Sequence, residues 1–155
     1  MINLAEYITP NHVLSREQHN QPFIIFPEDY KSFEDLFKYK DLIRNLELLP
    51  IKSDLMYKKY HDSDQLELIK SIDFLNNNIL FMENQFPYML PEDVSQNILW
   101  IKDGTKQSEV FYFLYNKLLE IGLEVIIFER PNNITTKLVK GSFPHIRHIH
   151  FWHKK

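Results

Sequence analysis

The chain has 155 residues, of which 44% are hydrophobic and 14% aromatic, so it can bury a core and is not expected to be disordered. It has no cysteine, which excludes disulfides, thiolate catalysis and cysteine-ligated zinc or iron–sulfur sites. The net charge of −3 is uneven: residues 1–90 carry nine basic and fourteen acidic side chains, whereas residues 91–155 carry nine and seven.

The first half of the chain has mainly helical signals. Residues 1–31 contain three prolines without clear periodicity and predict an extended N-terminal arm. Ser32 is predicted to cap a helix that ends at Pro50, and Ser53 to cap a second, short helix. A third helix is predicted to begin at residue 62 or 63, with an apolar face that continues to Ile79.

The second half changes to short apolar runs. Residues 97–101 and 123–129 are predicted strands on either side of a helix at residues 108–121, which favours a right-handed βαβ unit. Residues 137–140 could add a short strand, and residues 145–153 form the last strand. Because residues 123–129 are apolar on both faces, we expect that strand to be central.

These elements predict an α+β fold in one domain, residues 1–155. A helical N-terminal half, residues 32–82, is expected to pack on a small mixed sheet formed after residue 95. That sheet would contain the βαβ unit and a histidine-rich C-terminal strand.

The C-terminal strand carries the most informative polar residues. Side chains alternate between the two faces of a strand, so His148 and His150 share one face, with Cα atoms about 6.5–7 Å apart. Such a pair could divide the roles of general acid and base, or bind a divalent metal. The alternative is two hydrogen-bonded histidines at the edge of the core. His153 falls on the opposite face.

A metal site would need a third ligand, and no further spaced pair supplies one, so we predict no metal and no cofactor. The strand also lacks the alternating three-histidine pattern of histidine-triad nucleotide hydrolases. No glycine-rich phosphate loop, Gly-x-Ser-x-Gly elbow or His-Glu-x-x-His helix is present.

Four other residues are weaker candidates, each with a structural alternative. Trp100 lies in an apolar run, where core packing would explain it. Asn84 and Tyr88 flank Pro87 in a loop that could simply be a turn. Ser142 precedes the histidine strand and could cap, bind an anion or do neither.

The chain has no acidic residue after Glu129, although that segment carries six basic residues and four histidines. A basic segment of this kind favours an anionic partner such as phosphate, nucleotide or nucleic acid. It is equally typical of a solvated edge strand that resists aggregation.

Three sequence blocks, at residues 42–60, 83–102 and 142–152, resemble an uncharacterised family of fungal and large-DNA-virus proteins that includes the N-acetylglucosamine-induced protein. The positions that carry the resemblance are Asn45, Ser53, Leu55, Tyr60, Asn84, Pro87, Tyr88, Trp100, Lys102, Ser142, His148 and His150. The chain departs from the family pattern at three places. Gln85-Phe86 replaces a frequent Asp-Trp, Gln96 replaces a histidine, and Arg147 replaces an acidic residue. Gln96 would be a poor substitute if that histidine were a metal ligand.

Two functions remain open. The first is a small enzyme for a phosphorylated or sugar-nucleotide substrate, with His148 and His150 as catalytic residues in a partly open cleft. Its ligand-binding residues would be Asn84, Tyr88, Trp100, Lys102 and Ser142. The second is a non-catalytic module that binds an anionic ligand, a nucleic acid or a protein, although no nucleic-acid motif is present.

No signal-like segment and no run of roughly 18 apolar residues is present. We therefore predict a cytoplasmic protein, in the host cytoplasm if it is viral, without a membrane partner. Oligomeric state is not predicted.

Overall fold

A computed structural model of the protein describes residues 3–7, 23–62, 77–129 and 147–155, and it confirms the α+β class. The helices are α1 Phe33–Phe37, α2 Lys40–Arg44, α3 Asp54–Asp62 and α4 Gln107–Ile121. The strands are β1 Phe23–Ile25, β2 Leu48–Pro50, β3 Ile79–Glu83, β4 Val94–Ile101, β5 Val125–Phe128 and β6 Arg147–Lys154. Single 3-10 turns lie at Leu4–Glu6 and Pro27–Asp29.

The two serine caps are where the sequence predicts them. The Ser32 hydroxyl accepts a hydrogen bond from the Asp35 amide at 3.3 Å, and the Ser53 hydroxyl accepts one from the Met56 amide at 3.2 Å. Each bond satisfies one of the amide groups that a helix leaves unpaired in its first turn.

The first predicted helix is shorter than expected. It is interrupted between α1 and α2 and ends at Arg44, and residues 48–50 form β2 instead. That strand pairs in parallel with β1, so part of the predicted N-terminal arm is a strand. Most of the predicted third helix lies outside the described residues, but its expected end is wrong because Ile79 begins β3.

The main sheet has the strand order β3-β4-β6-β5, and every neighbouring pair in it is antiparallel. The expectation of a mixed sheet formed only after residue 95 is therefore corrected, since β3 begins at residue 79. Strands β4 and β5 run parallel to each other on either side of α4, but β6 lies between them. The predicted βαβ unit is thus split by the histidine-rich strand.

Strand β5 is at the edge of this sheet as described, so the prediction that residues 123–129 are central is wrong. Its four residues are nonetheless fully buried, because a hydrophobic core covers each of its two faces. In addition, a guanidinium nitrogen of Arg44, on α2, donates a hydrogen bond to the Val125 carbonyl. The apolar run at residues 123–129 therefore indicated a strand that is buried on both faces, and not a strand in the centre of the sheet.

The sheet separates two hydrophobic cores. One core joins α1 and α2 to the sheet face that carries Val94, Ile126, Phe128 and Trp152. The other joins α4 to the opposite face, which carries Leu99, Ile101, Val125, Ile127, Ile149 and Phe151. Successive residues of β6 therefore enter different cores, as alternation along a strand requires.

Candidate functional site on the histidine face

His148 and His150 lie on one face of the sheet, as the sequence predicts. In the register of the antiparallel strands, Trp100 is paired with His148, and Ile98 with His150. Phe128 of β5 is paired with His150 on the other side. We call this surface, made of Gln96, Ile98, Trp100, Phe128, His148, His150 and Trp152, the histidine face.

Aromatic rings surround both imidazoles. The ring centroids of His148 and His150 are 5.4 Å apart, and Trp100 lies 5.1 Å from His148. His150 stacks on Phe128 at 4.6 Å with an interplanar angle of 11°. Each histidine is only 1% exposed. The expectation that the pair is partly exposed in a cleft is therefore wrong, because strands and rings on both sides enclose it.

Tyr88 packs on the histidine face from the loop between β3 and β4. Its ring meets His150 at 5.6 Å and Trp152 at 5.4 Å, in both cases edge-on, and the residue is 5% exposed. The Gln96 amide holds its backbone: the oxygen accepts from the Tyr88 amide at 2.9 Å, and the nitrogen donates to the Tyr88 carbonyl at 3.0 Å. Gln96, which the sequence suggested only as a poor ligand, positions Tyr88.

Asn84 combines the turn role with an unsatisfied donor. Its side-chain oxygen accepts from the Phe86 amide at 2.9 Å, which is the geometry of an Asx turn. Its side-chain nitrogen is buried, and within the described parts of the chain it has no hydrogen-bond partner. The same is true of the indole nitrogen of Trp152, a residue with no exposed surface. Both atoms are hydrogen-bond donors.

Two other predicted residues are not placed among these rings. Lys102 is exposed beyond the end of β4, and its carbonyl accepts bonds from the Thr105 amide and hydroxyl at 3.1 and 2.6 Å, which forms a turn. Ser142 lies outside the described residues, as do the predicted strand at residues 137–140 and the turn at residues 131–133.

Lys52 belongs to the site but was not singled out from the sequence. Its ammonium lies 5.3 Å from the centroid of the Tyr88 ring and 5.8 Å from that of Phe86, and the residue is half-buried. The only sequence signal was its position beside Ser53 in the first block that carries the family resemblance. Lys52 is therefore where the ring cluster reaches the surface.

The basic C-terminal segment is partly neutralised by acids that precede it. Arg147 binds both carboxylate oxygens of the buried Glu129, at 2.6 and 3.2 Å. The ammonium of Lys154 bonds to Glu34 of α1 at 2.6 Å, and this bond raises the pKa of Lys154 and lowers that of Glu34. Arg147 also lies on the opposite face from the histidines. These two cations therefore add little to an anion site at His148 and His150.

The described residues contain neither a metal-ligand cluster nor a membrane-spanning helix. Across residues 3–7, 23–62, 77–129 and 147–155, no three histidine or acidic side chains lie close enough together to hold a metal ion. In the same ranges, no helix has the length and hydropathy needed to cross a membrane.

No family model, no curated protein and no solved structure matches the chain. The family resemblance described from the three sequence blocks therefore stays a prediction. Functional conclusions must rest on the geometry of the chain itself.

Proposed function

We propose that the protein binds a small, oxygen-rich anionic ligand, such as a phosphorylated metabolite or a sugar nucleotide, at the histidine face beside Tyr88. The observation that carries the proposal is the set of hydrogen-bond donors around that ring. Trp152 contacts Tyr88, Asn84 forms the turn just before it, and Lys52 lies over it. Two of these donors are buried without acceptors in the described structure.

The physical reason is the cost of burying a polar group without a partner, about 1–3 kcal/mol for each donor. Phosphate and sugar oxygens are acceptors, so a ligand of this class would satisfy the amide of Asn84 and the indole of Trp152 once the loop that carries Tyr88 moves aside to expose them. The ammonium of Lys52 would contribute a charge-assisted bond at the surface end of the site. Tyr88 and Phe86 would supply the flat apolar walls that small-molecule sites commonly have.

Thermal shift of the full chain in inorganic phosphate, a nucleoside diphosphate and a sugar nucleotide tests the proposal, since a ligand that binds the folded state raises its melting temperature. We expect a saturable shift with at least one probe and a smaller shift in Lys52→Met, which keeps an apolar stem over the rings. Lys106→Met removes an exposed lysine outside the site and is the charge-matched control. No shift with any probe, or the same loss in both variants, would contradict the proposal.

Catalysis is a second candidate, favoured by the short distance between the two imidazoles on one rigid strand. His148→Phe and His150→Phe keep a ring in each place and remove the ring nitrogens. If the protein turns over a probe that it binds, these variants should bind that probe but lose turnover. Turnover that survives both substitutions would exclude the pair as catalytic residues.

A further inference from the structure

A groove of about 440 Å³ lies on the other side of the sheet, between α4 and the segment that leads into β3. Asn78 and Ile79 form one wall, and Glu109, Tyr112, Asn116 and Glu120 are among the residues of the other. This volume falls in the range of small-molecule sites. Tyr112 is 70% exposed, so the groove is open to solvent along one side.

Two of the asparagine amides that line this groove already donate within the protein. The side-chain nitrogen of Asn78 donates to both carboxylate oxygens of Glu109, at 2.9 and 3.2 Å. That of Asn116 donates to the Tyr112 carbonyl at 3.0 Å. The acceptors that remain for a ligand are the oxygens of these two amides and the carboxylates of Glu109 and Glu120. Because the Asn78 amide is neutral, the charge of Glu109 also remains.

The carboxylates are placed at opposite ends of the groove. Glu109, Tyr112, Asn116 and Glu120 follow one face of α4, and the helical rise puts Glu109 and Glu120 about 16 Å apart. Tyr112 and Phe113 lie between them. The two ends are not equal, since the ammonium of Lys117 lies 3.5 Å from a Glu120 oxygen and so partly neutralises that carboxylate.

Lys117 also shows what kind of group these walls accept. Its ammonium lies 4.6 Å from the ring centroid of Phe81 and 5.7 Å from that of Phe113. Contacts of this kind are cation–π interactions, in which the ring faces attract a positive charge. The chain thus already places one alkylammonium group against the aromatic side of the groove.

We propose that this groove binds a linear polyamine. One ammonium would pair with Glu109, the methylene chain would lie along Tyr112 and Phe113, and the amide oxygens of Asn78 and Asn116 would accept further N–H bonds. Phosphates do not fit this set, because they are acceptors themselves. This site is separate from the proposed anion site and does not depend on it.

Calorimetric titration of the full chain with spermidine, at low and at high salt, tests the proposal. In Glu109→Gln an oxygen remains for Asn78 but the charge is lost, and we expect affinity to fall about tenfold. In Lys117→Met the competing ammonium is lost while the apolar stem remains, so affinity should rise severalfold. Glu124→Gln, an exposed acid outside the groove, matches the charge change of Glu109→Gln and should have no effect.

Three results would overturn the polyamine site. The first is the absence of saturable spermidine binding to the wild-type protein at low salt. The second is an equal loss of affinity in Glu109→Gln and Glu124→Gln, which would mean attraction by overall charge alone. The third is weaker rather than tighter binding in Lys117→Met, because a groove that accepts an ammonium must gain when its own ammonium is removed.

Discussion

The histidine face and the groove beside α4, which we call the α4 groove, differ in the hydrogen-bonding groups that they leave available to a ligand. The histidine face is buried and ring-lined, and among the described residues the donors of Trp152 on it and of Asn84 beside it have no acceptor. The groove is open, and the amides of Asn78 and Asn116 in it donate to acceptors of the protein itself. The hydrogen-bonding groups that a surface leaves unused, rather than its residue types, therefore indicate the ligand class. Asparagine is present in both regions with opposite consequences.

The largest expected difference between the two regions is in stability. His150→Ala should lower the free energy of unfolding by about 2–4 kcal/mol, because it opens a cavity against Phe128 and Tyr88. Tyr112→Ala, a larger truncation in the groove, should lower it by only about 0.5 kcal/mol, because that ring is mostly exposed. Urea denaturation of both variants measures this. Comparable losses would mean that the two regions do not differ in burial as described.

The next largest effect on stability concerns the salt bridge between Arg147, on β6, and Glu129. Arg147→Met leaves the buried carboxylate of Glu129 without its bidentate partner and should cost about 2–3 kcal/mol of stability, less than a fully buried pair because Arg147 is partly exposed. The double variant Glu129→Gln/Arg147→Met should recover part of this loss. If binding of the anionic probe falls in the double variant although stability returns, Arg147 belongs to the anion site after all.

Gln96 allows the histidine face to be perturbed without removing a ring. Gln96→Leu deletes both hydrogen bonds to the Tyr88 backbone, and we expect a loss of about 1–2 kcal/mol together with weaker binding of the anionic probe. Spermidine binding at the groove should be unchanged. Equal changes at both sites would show that the variant damages the whole sheet, so the two titrations should be run on one sample.

The smallest expected effect on stability concerns Tyr30, which packs in the same core as Tyr88, and it is confined to alkaline pH. Burial raises the pKa of Tyr30 to about 12, and its hydroxyl donates to the Met89 carbonyl. Between about pH 10 and 12 the folded state therefore holds a proton that the unfolded state has lost, so stability falls as pH rises. Tyr30→Phe should show a shallower decline over that window. Identical slopes would mean that Tyr30 titrates normally.

Local signals in the sequence predicted much of this structure. Alternation placed His148 and His150 on one face, and the spacing of hydroxyl and helix-forming residues located the caps at Ser32 and Ser53. These features depend on neighbours a few residues apart. The α+β class followed from the same patterns.

The features that were wrong or missed depend on pairing between distant segments. The insertion of β6 between β4 and β5 cannot be read from either strand alone, because each pairing joins segments far apart in the chain. Burial of the histidines follows from that insertion. The bond from Arg147 to Glu129 and the position of Lys52 over Tyr88 likewise depend on the finished fold. The sequence did not predict the α4 groove, because its residues are typical of an ordinary solvent-exposed helix surface.

Binding of an acceptor-rich anion by the donors around Tyr88 is tested most directly by titrating Asn84→Asp with the probe that binds the wild-type chain. The aspartate keeps an oxygen for the Phe86 amide but replaces the buried donor by an acceptor. Asn45→Asp changes charge equally at an exposed position and is the control. We expect at least a tenfold loss of affinity in Asn84→Asp alone. Unchanged affinity, or the same loss in Asn45→Asp, would contradict the proposal.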